Sequence, residues 1–108
     1  MLLKVGSFED ALSRSYYVMF WAVRALLATK NLDAKRHSGV IVLFNQYFIK
    51  EGIVDKKLGK MIAEAKGIRE ESDYADYVTF TREDALTQIH NAKIFIDEVT
   101  RAVKKLDC

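Results

Sequence analysis

Proline is absent from this 108-residue chain, and glycine is confined to five scattered positions. Helices can therefore run long, while the tight turns of a β-rich fold lack their usual punctuation. The one cysteine, Cys108, has no second thiol to pair with, and with only His37 and His90 beside it the set is too small for a zinc finger. No bulk charge of one sign is present: 17 Lys and Arg against 15 Asp and Glu leave +2, too little to assign a nucleic-acid binder from electrostatics alone. The longest stretch free of Asp, Glu, Lys, Arg and His, Ser38 to Ile49, falls well short of the roughly 18 residues that span a bilayer. Met1 to Gly6 lead directly into Glu9 and Asp10 without a long apolar region, which does not fit a secretory leader. The expectation is a soluble, cytoplasmic chain folding as one domain over residues 1–108, since half its residues are apolar, as in ordinary globular domains.

What is present is helical periodicity. Ser7 and Asp10 imitate a capping box and open a segment in which Phe8, Ala11, Leu12, Tyr16, Met19, Val23, Leu26 and Leu27 recur at three- and four-residue steps, predicting a helix to about Lys30. Its other face carries Arg14, Tyr17, Trp21 and Arg24, a ladder of cations and rings. Ser38 is the expected N-cap of a second helix running through Lys50 and stopped by Gly52. Apolar residues occupy most of its circumference, which predicts a central position. Asp55 should cap a third helix, with Leu58, Met61, Ile62, Ala65 and Ile68 on one face. Thr81 and Asp84 repeat the capping pattern before Leu86, Ile89, Ala92, Ile96, Val99, Val103 and Leu106. Four helices on short loops predict an all-α, antiparallel up-and-down bundle.

Charge is unevenly spread. Residues 33–69 hold eight Lys or Arg against four Asp or Glu, and residues 70–84 hold one Arg against six. The basic part is either a solvated helix face or a phosphate-facing rim beside the acidic, aromatic stretch Glu70 to Tyr77. Chemistry with a strong local motif is missing: no GxxxxGK[ST] or GxGxxG loop, no Glu-x-x-His pair and no Gly-x-Ser-x-Gly elbow occurs. No metal and no cofactor is expected. Lys35-Arg36-His37-Ser38 stands at a predicted helix start, where unpaired N–H groups and the helix dipole favour an anion, and His37 can donate to a phosphate or carry a proton. Equally, His37 can simply support the cap. Arg69 and Asp73 are four apart and can pair on one helical face. Trp21 and Arg24 are of the types enriched in the cores of protein interfaces and are candidates for a dimer contact.

Three blocks in order, Ala11-Leu12-Ser13-Arg14-Ser15-Tyr16-Tyr17-Val18-Met19-Phe20, Lys35-Arg36-His37-Ser38-Gly39, and Arg69-Glu70-Glu71-Ser72-Asp73-Tyr74, resemble the HEPN domain family, and within it the small stand-alone helical proteins grouped as UPF0332. The resemblance covers about Ser7 to Val103. Only Met1 to Gly6 precede the helix that carries the first block, where such chains usually have one more helix, so the expectation is that this helix is lost or truncated. The resemblance implies a helical homodimer with a functional groove near the dimer contact, partnered by a minimal nucleotidyltransferase in a two-component toxin–antitoxin-like system. It implies nucleotide or RNA binding through Ser13, Arg14, Tyr17, Lys35, His37, Arg69, Asp73 and Tyr74, while Tyr16, Met19, Phe44 and Phe48 match as apolar framework. Several branches of the family are metal-independent RNases that use an Arg and a His separated by four to six intervening residues. After Arg69, those positions hold Tyr74, Ala75 and Asp76. A carboxylate accepts a proton but does not stabilise developing phosphorane charge as an imidazolium does. Three functions stay open: nucleotide or RNA binding, RNase activity with an atypical set such as His37 and Arg69, and a purely structural helical dimer.

Overall fold

The periodic segments fold as four α-helices, α1 (Ser7–Ala28), α2 (His37–Phe44), α3 (Lys56–Tyr74) and α4 (Arg82–Asp107), in a computed structural model that describes residues 7–74 and 80–107. No strand occurs among the described residues, and the all-α class holds.

The first two helical segments end by the same device. At the end of α1, the Leu32 N–H donates to the Leu27 carbonyl at 3.0 Å and the Asn31 N–H to that of Ala28 at 3.1 Å, with Asn31 at φ 57. Past α2, the Ile53 N–H donates to Phe48 at 2.9 Å and the Gly52 N–H to Ile49 at 3.0 Å, with Gly52 at φ 76. Each is a Schellman closure, in which one left-handed residue lets the chain turn back onto the last carbonyls. Gly52 thus ends its helix as its position in the sequence predicts.

The start and middle of the second segment differ from expectation. Ser38 is not the N-cap: Arg36 occupies that position with extended backbone and makes no side-chain capping bond. The start is set from outside, by the packing of His37 on α1. Beyond Phe44 the α-helix gives way to a π turn, Asn45–Ile49, in which the Lys50 N–H donates to the Asn45 carbonyl five residues back at 2.8 Å. Gly59 of α3 lies against this turn, since a Cβ there would stand 3.1 Å from Asn45 Oδ1. The absent side chain lets the two elements approach closely.

The central element is α1, not the segment 38–50. α1 packs on α2, α3 and α4, and Tyr16, Met19, Phe20, Val23, Leu26 and Leu27 are all buried. α2 buries only Val40 and Phe44 and leaves Val42 59% exposed. Length decides the matter: 22 residues make a rod of about 33 Å that can touch every neighbour, whereas eight make about 12 Å. Phe44 and Phe95, with ring centres 5.9 Å apart, join α2 to α4 in the core.

At α3 and α4 the local signals are met by the expected bonds. Asp55 Oδ1 accepts from the Lys57 N–H at 2.9 Å. Thr81 Oγ1 accepts from the Asp84 N–H at 3.1 Å while Asp84 Oδ2 accepts from the Thr81 N–H at 2.9 Å, a complete reciprocal cap. α3 and α4 run antiparallel, tied by Lys57–Glu98 at 2.6 Å and by Gln88 Nε2 donating to Glu64 at 2.7 Å. The connection over residues 29–36 brings the chain back along α1, and α2 then runs in the same sense as α1, with His37 beside Phe20 and Phe48 near Lys30. None of the described helices is long and apolar enough to cross a membrane.

Candidate functional site

Consecutive residues of a helix point about 100° apart, so Tyr16 and Tyr17 cannot both face the core. Tyr16 is buried, and Tyr17 stands at its edge, with ring centres 5.4 Å apart. One turn on, buried Phe20 forms the floor of a small aromatic platform. His37, the first residue of α2, lies on this floor with ring centres 4.0 Å apart and planes 29° from parallel. Tyr17 meets the imidazole edge-on at 6.1 Å. From α3, the Arg69 guanidinium sits over Tyr17 at 4.9 Å and near the Tyr16 ring at 5.9 Å. Three helices therefore converge on one point, and His37 remains exposed to solvent.

The hydroxyl of Tyr16 lies 3.2 Å from His37 Nδ1. Burial pushes the Tyr16 phenol above its ordinary pKa of 10.0; the Arg69 charge opposes this, and Tyr17 and Glu70 add to it. The phenol therefore keeps its proton at neutral pH, and in the imidazole tautomer with its hydrogen on Nε2 it donates to Nδ1 and leaves the outer nitrogen a donor. With no side-chain cap at α2, its leading N–H groups are available beside this donor. The arrangement offers ring faces, a guanidinium and N–H donors, a combination that suits a base with its phosphate.

Of the eight residues singled out for nucleotide or RNA binding, Tyr17, His37 and Arg69 meet here. Ser13 and Arg14 do not. Ser13 lies half-buried further up α1, and Arg14 pairs with Asp10 at 3.0 Å, on the side of α1 that faces α4. Lys35 is exposed in a separate hollow with Arg24, Asp33 and Ala34. Asp73 and Tyr74 fall in the last turn of α3, where their side chains lie outside the described residues, as does the part of the acidic, aromatic stretch beyond Tyr74. Elsewhere on α3, Lys66 pairs with Glu70 at 2.9 Å. Of the candidate dimer residues, Trp21 is 59% exposed, and Arg24 sits 5.1 Å from its ring while bonded to both oxygens of Asp33 at 3.1 and 3.0 Å.

Two contributors were not legible as such: Tyr16, which reads as apolar framework, and Phe20. The available signal is that a buried tyrosine needs a partner for its hydroxyl, but the sequence does not name that partner. A second surface feature, an apolar groove between α1 and α4, runs past Val18, Ala22, Ile96, Val99 and Val103.

Comparison with known proteins adds lineage to geometry. The profile of the HEPN domain matches residues 1–103. A UPF0332 protein of Thermotoga maritima is 37% identical over 98% of this chain and 80% of its own length. A Methanocaldococcus jannaschii protein named "Putative toxin" is 37% identical over 92% of this chain and 73% of its own. A UPF0332 protein of Archaeoglobus fulgidus is 33% identical over 94% and 81%.

Proposed function

The chain belongs to the HEPN domain family, and on that premise we propose that it is a toxin-like HEPN protein that binds a nucleotide or RNA at the Tyr17–His37–Arg69 cluster and works with a minimal nucleotidyltransferase as its second component. The observation that carries this reading is the convergence itself: His37 stacked on Phe20 at 4.0 Å while Arg69 covers Tyr17 at 4.9 Å. Core packing needs no imidazole exposed to solvent on an aromatic floor, nor a guanidinium drawn to the same rings. A nucleotide uses both.

In the tautomer in which Tyr16 donates to Nδ1, the solvent-facing Nε2 holds a hydrogen and donates to phosphate oxygen but takes no proton from a 2′-hydroxyl, and that state favours binding over turnover. The positions after Arg69 supply no second histidine. RNase activity with His37 and Arg69 as an atypical set is the second reading, kept because both side chains abut Tyr17. Homodimerisation belongs to the same proposal and is read from sedimentation.

Filter binding of mononucleotides and single-stranded RNA over a salt series tests the site. Tyr17→Ala is expected to weaken binding by about 1–3 kcal/mol, roughly five- to 150-fold. Arg69→Ala is expected to lower the salt slope by about 0.7, the loss of one phosphate contact on a single strand. Affinity unchanged by both substitutions overturns the site. Cleavage of RNA in EDTA that is lost in His37→Ala replaces binding by catalysis.

A further inference from the structure

The cation-and-ring pattern of α1 does not stop at Tyr17. One turn further along the same face stands Trp21, the one tryptophan of the chain and 59% exposed. It is displaced from Tyr17 by about 6 Å along the helix axis. Its indole meets the edge of Phe20, with ring centres 5.8 Å apart and planes 75° from parallel, so it adjoins the floor that carries His37. Arg24 rests 5.1 Å from the indole and is itself held by both oxygens of Asp33. Lys35 shares the adjoining hollow of about 420 Å³ and makes no ion pair among the described residues.

We infer that Trp21, steadied by Arg24 and flanked by Lys35, is a second base-stacking position next to the Tyr17–His37–Arg69 cluster, so that the ligand is a single-stranded oligonucleotide rather than a mononucleotide. This rests on the function proposed above and specifies its substrate class. Two aromatic surfaces one helical turn apart, each with a guanidinium against it, match the repeat of a single strand whose successive bases stack on protein rings. The Asp33–Arg24 pair neutralises the carboxylate that would otherwise repel a backbone phosphate, and Lys35 supplies a cation beside it. A dry protein contact at Trp21 is less consistent with that lysine, because lysine is depleted in interface cores.

A single tryptophan makes the test direct. The full chain is titrated with adenosine monophosphate and with oligoadenylates of two, four and eight nucleotides, following Trp21 emission and, in parallel, filter retention. The expected result is at least a tenfold gain in affinity from one nucleotide to four, with emission quenched by the oligomers and little changed by the monophosphate. Trp21→Ala should bind the monophosphate as the parent does and lose the gain with length, while Trp21→Phe keeps part of it. Affinity independent of length, or emission unchanged at saturation with the tetranucleotide, overturns the second position and leaves the first standing. A fall in sedimentation coefficient in Trp21→Ala, without loss of the gain with length, assigns the indole to a contact between copies instead. If neither mononucleotide nor oligomer is retained, the proposed function fails and this inference with it.

Discussion

α2 and α4 begin in opposite ways. α4 starts inside a closed reciprocal cap between Thr81 and Asp84, so its first donors are satisfied by residues three apart in sequence. α2 starts at Arg36 with no side-chain cap and is held by its first residue, His37, lying on Phe20 of another helix. A locally closed start needs nothing from outside and offers nothing to a ligand. A start anchored by tertiary contact leaves its donors open, and here it is the open one that carries the exposed imidazole. The difference separates a structural helix end from a functional one within the same small bundle.

The comparison breaks most visibly at its anchor. Phe20→Ala removes a buried ring from the core and the floor from under His37; the expected cost is about 3–5 kcal/mol in urea denaturation. Loss of nucleotide retention should accompany it at urea concentrations where the variant is still folded. A cost under about 1 kcal/mol would mean that α2 is not held from α1. Next comes the closed end: Thr81→Ala should cost about 1 kcal/mol and leave retention of nucleotide unchanged. A change in affinity there would erase the distinction between the two starts. The converse substitution, Arg36→Ser, gives α2 the cap it lacks. It should add up to about 1 kcal/mol of stability while weakening anion binding, because a side-chain oxygen now takes the N–H that a phosphate would use.

An effect of similar size, but dependent on pH, concerns Tyr16. Its folded-state phenol titrates above 10.0 because it is buried. Between that value and the folded one, the unfolded chain has already released the proton, so the folded state binds more protons and stability falls as pH rises through this window. Below pH 10 the contribution is flat. Tyr16→Phe should cost about 0.5–1.5 kcal/mol at pH 8 for the lost hydrogen bond. Its disadvantage relative to the parent should shrink in urea titrations carried from pH 8 to above pH 10. A constant difference across that range would show that the phenol is not held protonated by its surroundings.

The parts of the molecule that were legible beforehand share a property: each is decided by residues within a turn of one another. The Thr81–Asp84 cap, the Asp55 start of α3 and the Gly52 stop are of this kind. The π turn at Asn45–Ile49 was not legible, because it depends on how α3 comes in over Gly59. Nor was the central place of α1, since the apolar run around Val40 to Ile49 looks more buried than it is. Of the candidate site, Tyr17, His37 and Arg69 stand out as residue types. Arg14 and Lys35 look equivalent to Arg69 until the fold turns Arg14 toward α4 and sets Lys35 in a neighbouring hollow beside Arg24.

The order of residues, read alone, was enough for four helices, three of their ends and the kind of chemistry the side chains could offer. Periodicity and capping are short-range and carry their own instructions. Which imidazole meets which phenol depends on contacts 21 positions apart, as between Tyr16 and His37. Such contacts follow from the packing of whole helices around α1, and only the assembled bundle decided them.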